Sequence, residues 1–241
     1  MPPEHELDPA LVGRLLPWLR ALRGYTRLKV EGLENVPRGP AVLAANHTGW
    51  LGLDYALTAL SLHDGAERLP RGLAHPAWFR NPGTARFAQR VGLVEVSKDA
   101  MADLLSAGHL VMVFPEGEKG AFRAASGYRV GEFARGFVRV ALARGVPIVP
   151  VAVLGGEESN PVERTIDSYE SLLRMPIPVP TNLWPKAVKW RIAFLPAVDL
   201  RGAPAGAVDD RAFVHAQADA VRASVQAALD RLITERGDPY K

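Results

Sequence analysis

His47 and Asp54 stand seven positions apart in the run Ala45-Asn46-His47-Thr48-Gly49-Trp50-Leu51-Gly52-Leu53-Asp54. A neutral imidazole held by a carboxylate is the usual side-chain general base near pH 7, so the pair points to deprotonation of a hydroxyl or of water. On one straight helix the two residues would share a face yet lie about 10 Å apart along the axis, too far for a hydrogen bond. The pairing therefore requires His47 in a loop ahead of a helix, folded back onto Asp54 in its first turn, with Gly49 and Gly52 supplying the backbone freedom. Asp54 taken alone has a simpler role open to it, as an acidic residue that satisfies free amides at a helix start.

A second polar motif is Val113-Phe114-Pro115-Glu116-Gly117-Glu118-Lys119-Gly120, where an apolar strand breaks into a glycine-rich loop. Two roles fit Glu116: binding an acceptor hydroxyl, or holding its loop by accepting backbone amides. Backbone amides in the turns near Gly49 and Gly117 are candidates to stabilise an oxyanion. The basic stretch Arg123, Tyr128, Arg129 and Arg135 follows, suited to an anionic head group or donor phosphates, or simply to a solvated helix entrance.

These motifs need elements to position them. Apolar runs predict strands over Arg27 to Glu31, Ala41 to Ala45, Gly72 to His75, Leu93 to Val96, His109 to Phe114, Ile148 to Leu154 and Val188 to Phe194. Helical spacing predicts helices over Leu53 to Leu62, Pro82 to Val91, Met101 to Ala107, Val130 to Leu142 and Asp209 to Glu235. The alternation implies an α/β layered fold with a central, mostly parallel or mixed sheet flanked by helices, and both motifs then sit at carboxyl ends of strands. Near the amino terminus, Leu11, Leu15, Trp18, Leu19 and Leu22 form one stripe of an amphipathic helix that Pro17 should kink or interrupt. Such a helix packs on the core or lies in a membrane surface. The proline-mixed segment Asn160 to Pro185 reads as a loop over the core or as an apolar lip for an acyl chain.

Composition narrows the chemistry. The 241 residues, 48% hydrophobic and without an obvious linker, are expected to form a single domain, 1–241. With no cysteine, a disulfide framework, a cysteine zinc site and an enzyme-bound thioester are excluded. A formal charge of +3 is too weak to make nucleic acid the leading partner. The early Glu4, Glu6 and Asp8 do not resemble a secretory signal, no run approaches transmembrane length, and the sequon Asn46-His47-Thr48 reads as accidental. Phosphate-loop, dinucleotide and zinc-protease motifs are absent, and His5, His63, His75, His109 and His215 are scattered, so no metal is expected. There is no G-x-S-x-G elbow, which favours direct transfer over an acyl-enzyme.

Four blocks in order, Asn46-His47 with Asp54, Gly92-Leu93-Val94-Glu95-Val96-Ser97-Lys98, Phe114-Pro115-Glu116-Gly117 and Val146-Pro147-Ile148-Val149-Pro150-Val151, resemble the motifs of the glycerophospholipid acyltransferase superfamily. Its best-known members are the 1-acylglycerol-3-phosphate acyltransferases. The resemblance implies an O-acyltransferase of glycerolipid or phospholipid synthesis, with His47 as general base, Asp54 orienting it, and Lys98, Glu116, Gly117 and Lys119 contacting substrate. The donor implied is acyl-CoA or acyl-carrier protein, with no cofactor. The protein is expected in the cytoplasm, held peripherally at the cytoplasmic face of the membrane on a lipid surface through the stripe from Leu11 to Leu22 and the apolar loop from Met175 to Trp184. Two departures mark a divergent branch: six residues rather than four separate His47 and Asp54, and Lys98 and Lys119 stand where arginines are usual. Lysine keeps the charge but loses the bidentate fork, so a phosphate on the acceptor is allowed rather than required. A lipid ester or thioester hydrolase, and a non-catalytic lipid-binding member of the fold, are the alternatives.

Overall fold

The computed structural model describes residues 7–49, 52–117, 120, 127–166 and 177–241. A helix α1 (Pro9–Tyr25) leads into β1 (Lys29–Glu31), β2 (Ala41–Ala45), α2 (Leu53–Ala66), β3 (Arg71–Ala74), α3 (Ala77–Arg80), α4 (Pro82–Arg90), β4 (Leu93–Glu95), α5 (Lys98–Ser106) and β5 (Leu110–Val113). Then follow α6 (Gly136–Arg144), β6 (Ile148–Leu154), α7 (Gly156–Ser159), β7 (Val162–Ile166), β8 (Ile177–Pro180), β9 (Arg191–Phe194) and α8 (Arg211–Arg236). The main sheet has the order β1-β9-β6-β2-β5-β3-β4. The five strands from β6 to β4 are mutually parallel, β9 runs against β6, and β1 runs with β9.

The central strands are apolar throughout because both faces of the sheet are covered. Every residue of β2 and β6 is buried. Alternation along β2 sends Val42 and Ala44 into one layer and Ala41, Leu43 and Ala45 into the other. The first layer is filled by α5, α6 and α8 through residues such as Leu104, Phe137, Val225 and Leu229, the second by Leu57 and Leu62 of α2 with Trp190.

Four expectations are corrected. Pro17 does not interrupt α1, which runs unbroken from Pro9 to Tyr25; Pro17 and Gly13, whose carbonyl loses its partner, are both exposed, so water can take that carbonyl. Trp18 leaves the leucine stripe: it is 77% exposed while Leu11, Leu15, Leu19 and Leu22 are half-buried on the side that packs on α2. The helix expected from Val130 begins only at Gly136: the Ala134 N–H that would bond Val130 O in such a helix goes to Pro115 O instead, while Val130 N–H and Gly131 N–H are held by Gln226 and Glu116. The Asn160 to Pro185 segment is not all loop: β7 and β8 pair antiparallel in a second sheet, and 167–176, with Met175, lie outside the described residues.

Candidate active site

The site forms where β2, β5 and β6 release their chains. Asn46 leaves β2 with its side chain bridging to β6: Nδ2 donates to Val153 O at 2.8 Å, and Oδ1 accepts from Val153 N–H at 2.7 Å. The amide thus replaces a rung of the ladder and fixes where the next residue starts. His47 lies in the loop between β2 and α2, and Gly49 (φ 90°) and Gly52 (φ 68°) take the left-handed conformations that fold it back.

Asp54, second residue of α2, is fully buried. Its Oδ2 is 2.5 Å from His47 Nδ1 and accepts Thr48 N–H at 2.9 Å, while Oδ1 accepts Tyr55 N–H at 2.8 Å. A carboxylate only accepts hydrogen bonds, so Nδ1 is the donor in this contact. The His47 side chain is 20% exposed against 0% for Asp54, so the imidazole is reachable and the carboxylate it contacts is not. The imidazole stacks on Phe114 at the end of β5, with centroids 4.3 Å apart and planes 23° from parallel.

Glu116 is buried and clamps two backbones: Oε1 accepts His47 N–H at 3.0 Å, and Oε2 accepts Gly131 N–H at 2.7 Å. That is the amide-holding role. Gly117 (φ 62°) completes the turn, its N–H already given to Phe114 O at 3.0 Å, so this amide is engaged rather than offered to an oxyanion. Lys98 is the exposed first residue of α5, at the same end of the sheet as His47 but after β4, three strands from β2 and so about 14 Å away. Lys119 and Arg123 lie outside the described residues. Within the remaining basic stretch, Arg135 pairs with Glu132 at 2.7 Å, and the Tyr128 hydroxyl donates to Glu158 at 2.8 Å.

His47 opens on two small clefts, one walled by Thr48, Gly49, Gly120, Glu157, Asn160 and Val162, the other by Asn46, Glu116, Tyr128, Arg129 and Val130. The sequence reading missed the Gly155-Gly156 pair after β6. A methyl on Gly156 would stand 2.1 Å from Thr48 O, and one on Gly155 (φ 129°) 2.7 Å from the Trp190 ring. Two consecutive glycines closing a buried strand were the available signal.

The family model for Acyltransferase matches residues 27–154, more than half of the chain and the span that holds β1 to β6 and α2 to α6. The chain belongs to the Acyltransferase family. Among relatives, an uncharacterized protein of Mycobacterium tuberculosis is 34% identical over 228 residues, covering 89% of this chain and 64% of that protein. This acyltransferase-family chain thus spans about two-thirds or less of the curated relatives it matches. A chicken (Gallus gallus) DGAT1/2-independent enzyme synthesizing storage lipids is 28% identical over 68% of this chain and 49% of its own. The 1-acyl-sn-glycerophosphate acyltransferase PlsC of Thermotoga maritima shares the fold, with a TM-score of 0.64, 18% identity, and 94% and 80% of the two chains covered.

Proposed function

We propose that this chain transfers a fatty acyl group directly from acyl-CoA or acyl-carrier protein to a hydroxyl of a glycerolipid or lysophospholipid. One observation carries the reading: a reachable imidazole whose Nδ1 is fixed by a fully buried carboxylate 2.5 Å away. The acceptor hydroxyl gives its proton to His47 Nε2 as its oxygen attacks the thioester carbonyl. Collapse of the tetrahedral intermediate expels the thiolate, which takes that proton back. Asp54 holds the ring in the right tautomer and stabilises the imidazolium between the two steps. The absence of cysteine removes the simplest acyl-enzyme route and favours a ternary complex. Exposed at the same end of the sheet, Lys98 suits a phosphate of donor or acceptor as a point charge.

The acceptor class is supported by family membership, by the storage-lipid enzyme among its relatives and by the fold shared with a 1-acyl-sn-glycerophosphate acyltransferase. Peripheral attachment to the cytoplasmic face of a membrane completes the reading. No helix among the described residues is long and apolar enough to cross a bilayer. Trp18, Leu183 and Trp184 are each more than three-quarters exposed, and Tyr25 Oη donates to Pro185 O at 3.0 Å, tying α1 to the segment that carries the other two.

The test is acyl transfer to lipid vesicles containing mixed acceptors. His47→Ala should lower kcat by about 10²- to 10⁴-fold in a chain that still folds, with a lowered unfolding midpoint because the buried Asp54 carboxylate loses a partner, and Asp54→Asn should lower kcat nearly as much by releasing the tautomer. Full activity in His47→Ala would sink the assignment; free fatty acid in place of acylated acceptor would turn it into a hydrolase.

A further inference from the structure

Behind the cleft, ionisable side chains from three distant parts of the chain meet. Arg236, the last residue of α8, has a side chain only 1% exposed and forms an ion pair with Glu158 of α7, itself 11% exposed. The Tyr128 hydroxyl donates to Glu158 Oε1 at 2.8 Å and accepts from Arg236 Nη2 at 3.3 Å. The guanidinium carbon lies 5.6 Å from the Tyr128 ring centroid, and Arg236 Nη1 donates to Lys189 O at 3.4 Å. Burial, with the neighbouring Glu158 carboxylate, pushes the Tyr128 hydroxyl up to about 12, so it stays a donor.

Stability alone does not account for this cluster. Tyr128 is held left-handed at φ 64°, a strained conformation for a residue with a side chain. Glu158 Oε2 and Arg236 Nε are buried without a hydrogen-bond partner among the described residues. Apolar side chains of similar size often replace a buried ion pair with no loss of stability.

Its position suggests another use. Tyr128 and Glu157, the latter the chain neighbour of Glu158, both line the cleft that His47 enters. From Tyr128 the chain runs to Gly131, whose amide reaches Glu116 and through it the His47 amide. From Glu158 it runs back to Gly156, which is packed on Thr48. Gln226 of α8 holds the first of these paths a second time, accepting Val130 N–H at 2.8 Å and donating to Tyr128 O at 3.2 Å. We propose that Glu158 and Arg236 are positioning residues for acyl transfer: with Tyr128 they strap the two walls of the cleft together and fix the backbone of His47 from both sides. The inference rests on His47 being the base.

The experiment compares wild type, Glu158→Leu, Arg236→Met, Arg236→Lys and the triple variant Tyr128→Phe/Glu158→Leu/Arg236→Met, measuring thermal unfolding with kcat and KM for the thioester donor. Each apolar single variant leaves a buried partner unpaired and should lose both stability and about tenfold or more in kcat. The triple variant should regain the wild-type unfolding midpoint yet keep the low kcat, with the donor KM within about twofold, because apolar packing carries no direction. Arg236→Lys should recover part of kcat. If kcat returns together with stability in the triple variant, or the folded single variants turn over like wild type, the cluster is structural only and the proposal falls. Should the single variants fail to fold, the triple variant and Arg236→Lys decide by the same readouts. Absent turnover in wild type, or its persistence in His47→Ala, overturns the base assignment and this inference with it.

Discussion

The turn at residues 46–49 and the helix α1 are held to the rest of the molecule by different means. The turn is pinned by groups shielded from water: Asn46 to Val153, Glu116 to the His47 amide, Asp54 to the imidazole, and Gly156 pressed onto Thr48. No residue of α1 is fully buried, and its ion pairs run from half-exposed Arg20 and Arg23 to Asp64 of α2 at 2.8 and 3.5 Å. In the turn, each contact is hard to replace because water cannot substitute for a missing partner. On α1 every polar contact has water as an alternative, so the helix can adjust against a soft surface at small cost. Under the proposed function, rigidity is concentrated where a proton would move, and compliance where lipid would be met.

Substitutions should expose that difference in descending order. Gly156→Ala places a methyl against the Thr48 carbonyl, backbone on backbone, and should lower stability by about 3 kcal/mol in denaturant unfolding, with loss of turnover in whatever remains folded. A variant of wild-type stability would show that the turn is not pinned by this contact. Trp184→Ser, on a residue 78% exposed, should leave unfolding unchanged and weaken co-sedimentation with liposomes about tenfold. Unchanged sedimentation would remove this segment from the lipid-facing surface.

The smallest effect concerns pH. The Arg20 guanidinium, with His63 beside it, holds the Asp64 carboxyl down at about 2, below its usual 3.8. A lowered folded-state value means the contribution is complete above the unfolded value and lost as pH falls from about 4 through 2. Because Arg20 is 53% exposed, the loss should stay under about 1 kcal/mol and be confined to α1. Hydrogen exchange across that window should show α1 amides losing protection before those of β2; simultaneous loss would contradict the contrast.

Sequence alone located β2 and β6 to the residue, because a strand buried on both faces is an unbroken apolar run with turn residues at each end. It failed at Val130 to Arg135, where helical spacing was real, since Val130 and Phe133 are buried, but the Ala134 amide that would close the first turn is captured by Pro115, distant in the chain. The His47–Asp54 contact was legible because its demand for a glycine-hinged loop is local. Gly156 was not, because its meaning is a distance to Thr48 that no local pattern encodes. The same holds for Tyr128, Glu158 and Arg236, whose spacing along the chain carries no period.

Two reversed strands decide which way the molecule faces. Since β9 opposes β6, Arg191 at its start lies beside Leu154 at the end of β6, and Lys29 at the start of β1 lies beside Arg191. The approaches to both strands, one carrying Leu183 and Trp184 and the other the last turn of α1, therefore arrive at the end of the sheet where His47 sits. Were β1 and β9 to run with their neighbours, those aromatic approaches would emerge at the opposite pole, and a molecule resting on them would turn its base toward bulk water. As built, and on the membrane attachment proposed above, a lipid acceptor would have only to drift sideways within its own leaflet to come beneath the imidazole.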